Sequence, residues 1–454
     1  LRLRTFLSST LLTLNLFVYA QAQNYPDQYF VLKGDSLLQS IDTVEGLTSV
    51  NDGTGFVLRP DRTDGFVIFK PQFSHSPFNR GFPSWNGSAP DSNSSFKIQM
   101  RFPDGTGWSA WLTVGYWKAH LWATYGATQF TGGDIDIDNV KLSSYASSWQ
   151  FKVAMTRATL DQESPTLRKL GFFVCDTRTT ASQDFSQILN DNPAANFIPT
   201  NFIYQYGVDP QIGGSICSPS SVAMILRSYG IPVDPLQFAR DTYDPYFHMF
   251  GIWPRVVQNA SEYGLDGAVT CYRSWSQAGQ VLRDGGRISM SVGPPLYAGH
   301  LIMLAGFTAA GDPIVHDPSR SDGYAHVFSK SDLSHSWFDK GGIAYTFHLA
   351  GAGPASVDRQ SQHDLSAAGF NLSQNFPNPF NPTTVVSYQL PVASTVRLSV
   401  FDMLGRVVAV LENEKKAPGR YQVKFDGSGL ASGVYLYRIE AGSFVQTKRL
   451  LLLR

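Results

Sequence analysis

A cysteine at the mouth of a helix is where this chain is equipped for chemistry. Gln211-Ile-Gly-Gly-Ser-Ile-Cys217 runs directly into Ser218-Pro-Ser-Ser-Val-Ala-Met-Ile-Leu226, with the glutamine six positions (217 − 211) ahead of the cysteine. Ser218 and Pro219 predict an N-cap and a first helical residue. Val222, Ile225, Leu226 and Tyr229 predict a buried face, and Gly230 the stop. A thiol there meets the positive end of the helix dipole, which favours thiolate. The Gln211 amide would donate to an oxyanion forming at the carbonyl under attack. The competing reading is a buried structural cysteine, so the partners decide.

A thiolate nucleophile needs a base within hydrogen-bond reach and a third group to orient that base. Among 9 histidines, His300 opens an apolar strand straight after Gly299. Asp317 follows seventeen residues later (317 − 300), across the turn Ala309-Ala-Gly-Asp312 and just before Pro318. His316 is the rival base, but neighbouring strand residues face opposite sides, so His316 and Asp317 are not expected in one cleft. His248, His326, His335 and His348 have no acid in an equivalent position. The expected reaction is thiolate attack, a thioester and then hydrolysis, with no cofactor and no metal. An amidase or transglutaminase-like acyl transfer would use the same residues.

The elements that must hold these groups follow from pattern. Trp253 to Tyr263 reads as a helix with Val256, Val257 and Ala260 inward and Gly264 as its stop. A short helix over Ser276–Arg283 leads to a strand at Ile288–Val292. Gly299–Phe307 and Pro313–Asp317 then form a hairpin, so helix precedes sheet in an α+β layout over 196–350. Ahead of it, residues 23–185 read as a β-sandwich, with strands at Phe66–Phe69, Phe96–Phe102 and Trp149–Met155. Trp85, Trp108, Trp111, Trp117, Trp122 and Trp149 fall in this stretch. Core filling is the favoured reading; exposed rings would instead make a glycan-binding face. Asp134, Asp136 and Asp138 are expected on one face of a strand, as a solvated face rather than a calcium site, which needs six or more oxygens. Residues 351–370 read as a linker, and 371–454 as a small all-β immunoglobulin-like sandwich.

Composition bounds the rest. Lys+Arg and Asp+Glu both number 36, which offers no excess charge for nucleic acid. Aromatic content of 13% against 16% charged, with 40 Gly and 26 Pro, suits turn-rich β domains. Residues 1–22 read as a signal peptide: Arg2 and Arg4, an apolar run from Phe6 to Val18, then Ala20-Gln21-Ala22. No later segment reads as a transmembrane span. The 3 cysteines leave at least one thiol free, and pairing Cys175 with Cys271 would leave Cys217.

These motifs carry three resemblances. Residues 196–350 resemble the papain-like cysteine peptidases, in the branch of the bacteriocin leader-processing (double-glycine) peptidases. The usual Cys-Gly-Pro-Thr/Ala-Ser stands here as Cys217-Ser-Pro-Ser-Ser221, with Gly299-His300 and Asp317-Pro318 matching. The resemblance implies Cys217 as nucleophile, His300 as general base and then acid, and Asp317 as its orienter. Gln211, with the Cys217 N–H, would be the oxyanion hole, and the substrate a peptide or protein. Ser218 replaces the usual Gly, which would impair activity if that position needs positive φ. No GxxxxGK[ST] loop occurs, so this is not a peptidase–transporter fusion. Ser84–Pro90 with Trp108–Trp111 resembles the β domain found ahead of such peptidases in exported bacterial proteins.

The tail, from Asn371-Leu-Ser-Gln-Asn-Phe-Pro-Asn-Pro-Phe-Asn-Pro through Asp402–Arg406 and Gly433–Arg438, resembles the type IX (Por) secretion sorting domain. That implies handling by the type IX machinery and passage through the periplasm and outer membrane to the cell surface or beyond. The alternative function is a non-catalytic surface protein, binding glycan or peptide through its β-sandwich on a degenerate peptidase scaffold.

Overall fold

The computed structural model describes residues 26–50, 54–89, 93–118, 124–350 and most of 371–453. The expected leader 1–22, Trp122, the linker 351–370, and Phe376, Pro377 and Pro379 of the tail motif lie outside the described residues. The chain is heavily β. Among the described residues no helix is long and apolar enough to cross a membrane.

Strand Asn139–Arg157 is the spine of the front unit. Its first half pairs antiparallel with Gln72–Ser88, and its second half, from Gln150, with Ser94–Arg101 and Asp64–Phe69. Two sheets therefore share this strand and close over one core. Phe96, Ile98 and Met100 alternate into that core at strand period, and Trp85, Trp117 and Trp149 are fully buried in it. Trp108 and Trp111 are half-buried and clasp their own chain's Arg101, whose guanidinium carbon lies 5.4 and 4.5 Å from the two ring centres.

The three aspartates do not share a strand face. Asp134 and Asp136 lie on Gly133–Asp136, but Asp138 sits past the turn at Ile137 and is buried. Its Oδ2 accepts the Trp253 N–H at 2.9 Å, capping a helix more than a hundred residues away. Burial outweighs that bond and pushes the Asp138 carboxyl up to about 7.

The middle unit is a seven-stranded antiparallel sheet with helices packed on it. Its order runs Leu265–Cys271, Ile343–Leu349, Arg287–Val292, His300–Phe307, Pro313–His316 and His326–Val327, with Asn196–Phe197 beside His300–Phe307. The expected hairpin is present, with Met303 opposite His316 and Leu304 opposite Val315. The tail forms sheets of three and four strands over one core. Its Asp402 Oδ1 accepts from Leu404 N and Arg406 N at 3.0 and 2.9 Å, around Gly405 at φ +78°. That backbone favours glycine at the turn.

Front and middle units meet along helix Trp253–Glu262. Trp117 Nε1 and Ala89 N donate to Glu262 Oε1 at 2.8 and 3.0 Å, Gln258 Nε2 donates to Gly87 O at 3.0 Å, and Arg255 Nη1 donates to Tyr116 O at 2.6 Å. Nearby, Asp266 of the middle unit takes Lys33 and the buried Lys169 of the front unit. Burial would raise the Asp266 carboxyl, but the two ammonium charges hold it at about 2. Asp266→Ala would leave the Lys169 charge buried with only neutral partners, the Gly267 carbonyl at 2.9 Å and Tyr29. We expect a loss of about 3 kcal/mol, at the low end for a broken buried pair, read by denaturant unfolding. Because the folded carboxyl titrates below its unfolded value, this contribution is present above the ordinary aspartate range. It disappears as the pH falls toward 2.

Candidate active site

The cysteine helix runs Cys217–Ser228, so Cys217 itself is its first residue and Ile216 its N-cap. Ser218 does not cap: its Oγ bonds the Tyr345 hydroxyl at 2.8 Å, inside the core. The thiol is thereby set at the helix mouth, where unpaired N–H groups favour negative charge. Val222, Ile225 and Leu226 are fully buried, and Gly230, at φ +78°, follows the end of the helix. Ser218 is helical, and its side chain is accommodated: a Cβ on Gly251 would be an ordinary 3.5 Å from Ser218 Cβ.

His300 comes from the strand that packs across this helix, and the Ser221 hydroxyl donates to Leu301 O at 2.9 Å, fixing the two elements together. Its Nε2 bonds Asp317 Oδ1 at 2.8 Å, and the ring is a hydrogen-bond partner of the Cys217 thiol. Asp317 is fully buried and fully used: the Tyr297 hydroxyl donates to Oδ2, and Ser319 N and Oγ donate to Oδ1 at 2.9 and 2.8 Å. The structure therefore brings Cys217, His300 and Asp317 into one line.

Charge in that line is self-consistent. Burial pushes the Cys217 thiol up, but the hydrogen bond and charge of His300, with the N–H groups of Leu301 and Ser218, pull it below the ordinary thiol value. Burial alone would lower the imidazole. Its bonds to Asp317 and Cys217, with their charges, raise it instead to about 9. Burial likewise opposes the Asp317 carboxylate, and the His300 and Tyr297 bonds hold it at about 2. The shifts of the three groups all favour thiolate, imidazolium and carboxylate.

Other sequence-derived residues fall outside the line. Gln211 is exposed in a turn, with its backbone N–H on Asp209 Oδ1 at 2.8 Å. His316 points away, bonding Ile198 O at 2.9 Å through Nε2 and taking the Ala325 N–H on Nδ1 at 3.1 Å. His335, expected without an acid, bonds Asp339 at 3.0 Å one helical turn on, at the surface. Cys175 and Cys271 are free thiols rather than a disulfide, and burial raises both, Cys175 to about 12. Among the described residues no group of three or more His, Cys, Asp or Glu is arranged to hold a metal.

Gln205 was missed. It is buried, its Nε2 donates to Gly213 O at 2.7 Å, and its backbone N–H donates to Pro318 O at 2.8 Å. It therefore ties the approach to Cys217 to the segment carrying Asp317. The available signal was a polar residue inside the otherwise aromatic and apolar run Phe202–Tyr206.

Comparison with known proteins gives three matched stretches. Residues 70–175 match the Peptidase C39 N-terminal domain, 198–345 the Peptidase_C39 like family, and 374–452 the secretion system C-terminal sorting domain. No curated protein matches the chain significantly. Among solved structures, PorZ, a type-IX secretion surface component of Porphyromonas gingivalis, aligns at 14% identity and TM-score 0.15, over 34% of this chain and 21% of its own. A Faecalibacterium prausnitzii beta-glucuronidase aligns at 10% identity and TM-score 0.17, over 95% of this chain and 47% of its own. The chain thus spans about a fifth and about half of those two proteins, and neither likeness is close enough to define a shared fold. The sorting tail marks the chain for type IX export to the cell surface or beyond, and its middle stretch is similar to the C39-like peptidases.

Proposed function

We propose that the protein is an exported cysteine peptidase of papain-like type, with residues 23–185 as a β-sandwich, 196–350 as the catalytic domain and 371–454 as the sorting domain. The reading rests on one observation: a carboxylate, an imidazole and a thiol joined by hydrogen bonds at a helix start. Cys217 attacks the peptide carbonyl as thiolate. His300 then gives its proton to the leaving amine, takes one from water, and the thioester is hydrolysed. Asp317 keeps the ring turned and its charge balanced. Stoichiometric iodoacetamide labelling at Cys217, with cleavage of a peptide library by the wild type, is the test; an unreactive thiol in folded protein counts against the proposal.

The oxyanion that forms in each step needs donors. The Cys217 N–H is one. For the second we favour the buried Gln205 amide over exposed Gln211, because its anchorage to Gly213 and Pro318 holds it still. Gln205→Ala is expected to lower kcat by about 10²-fold, the usual effect of removing one oxyanion donor, with Gln211→Ala within about twofold of wild type. The reverse ranking in steady-state kinetics would return the role to Gln211.

A further inference from the structure

A cavity of about 870 Å³ lies between the front and middle units. The front unit contributes Arg80, Phe82 and Cys175, and the middle unit Trp253, Arg273 and Lys340. Its charges are not balanced. Arg273 is paired with Asp27, and Asp339 on the rim is taken by His335. Among the described residues, Arg80 and Lys340 pair with no carboxylate. Arg80 gives one N–H to the Asn139 amide oxygen at 3.2 Å, and its Nε is buried with no acceptor. Lys340 Nζ reaches only neutral oxygens, Ser291 Oγ at 3.0 Å and Val292 O at 3.4 Å.

A buried guanidinium nitrogen without an acceptor is destabilising, and a half-buried ammonium bonded only to neutral groups gains little to offset its lost hydration. Such groups persist where something else supplies the negative charge. Carboxylate is the matching shape for the planar fork of Arg80. The position of the cavity identifies what would bring it. Lys340 Nζ lies 3.4 Å from Val292 O, and Val292 is the strand partner of His300. Through Lys340 the cavity therefore reaches the strand paired with the one that carries His300, and its volume admits more than one residue of a bound chain.

We propose that this cavity is a substrate subsite that takes an acidic segment of the peptide to be cut, with Arg80 and Lys340 receiving its carboxylates. The specificity depends on the peptidase reading, but the binding does not. The test uses the full chain with Cys217→Ala and calorimetric titration with blocked tetraglutamate, tetraglutamine and an oligomer of glucuronic acid. Tetraglutamate is expected to bind at least about tenfold tighter than tetraglutamine. Arg80→Gln and Lys340→Gln, each added to Cys217→Ala, are expected to remove most of that preference. Equal binding of the two peptides, an undiminished preference in both double variants, or binding of the uronic acid oligomer alone would each overturn the proposal. An alkylation-inert Cys217 in wild-type protein that still prefers glutamate would sink only the peptidase reading.

Discussion

Cys217→Ala in the full chain is expected to abolish peptide hydrolysis, by about 10⁴-fold or more, while leaving the thermal unfolding midpoint nearly unchanged. The size follows from the site. Without the sulfur there is no thioester, and what remains is whatever rate positioning and oxyanion donors give to water. The unchanged stability follows from packing: Cys217 is only partly buried, and the helix behind it is anchored by Val222, Ile225 and Leu226. The same variant removes the label expected from iodoacetamide at neutral pH. Cys175 is buried and Cys271 half-buried, and burial raises both thiols, so at neutral pH they are expected to label far more slowly than Cys217, and the first equivalent should go to Cys217. Residual cleavage within tenfold of wild type would remove Cys217 from the mechanism.

The second large effect is at Asp317. Asp317→Asn keeps the shape but removes the charge that holds the His300 ring and stabilises its protonated form, and a loss of about 10²- to 10⁴-fold in kcat is expected. A pH profile separates this from simple damage. In the wild type the active ion pair exists from the depressed thiol value up to the loss of the imidazole proton at about 9. Activity and Cys217 alkylation should therefore rise together as the thiolate forms, at lower pH than for an ordinary thiol, with activity falling on the alkaline side near 9. In Asp317→Asn the imidazole value falls, the thiolate loses its partner, and the thiol value rises toward the ordinary range. Alkylation at neutral pH should slow by about tenfold and recover as the pH is raised. An unaltered alkylation profile in this variant would mean that Asp317 does not sustain the pair.

The sequence was most readable where order is local. Val222, Ile225 and Leu226 announced one helix, Val256, Val257 and Ala260 another, and the glycine-rich turn before Asp312 joined the two strands that hold His300 and Asp317. What stayed hidden depends on partners far along the chain. Ser218 is a residue type that caps helices, yet its hydroxyl is drawn to Tyr345, and the helix begins two residues earlier than expected, at Cys217 rather than Pro219. Asp138 looked like one of three solvated carboxylates until its oxygen met the backbone of Trp253. Gln211 has the right spacing from Cys217, but spacing carries no information on burial, and the chain between them turns so that Gln205 is enclosed instead. The strands Leu265–Cys271 and Ile343–Leu349, paired along their whole length, are separated by residues 272–342 and gave no sequence signal of each other.

The polar seam along Trp253–Glu262 also bears on how the protein can be divided. Arg255, Gln258 and Glu262 have their acceptors and donors on Tyr116, Gly87 and Trp117, and Arg255, Gln258 and Trp117 are shielded from water in the joined structure. A recombinant fragment beginning near residue 196 would present this row of orphaned groups to solvent beside the apolar surface that now covers them. The front portion is better regarded as half of the site's housing than as a detachable accessory, and the smallest piece that makes sense to purify starts before its first strand.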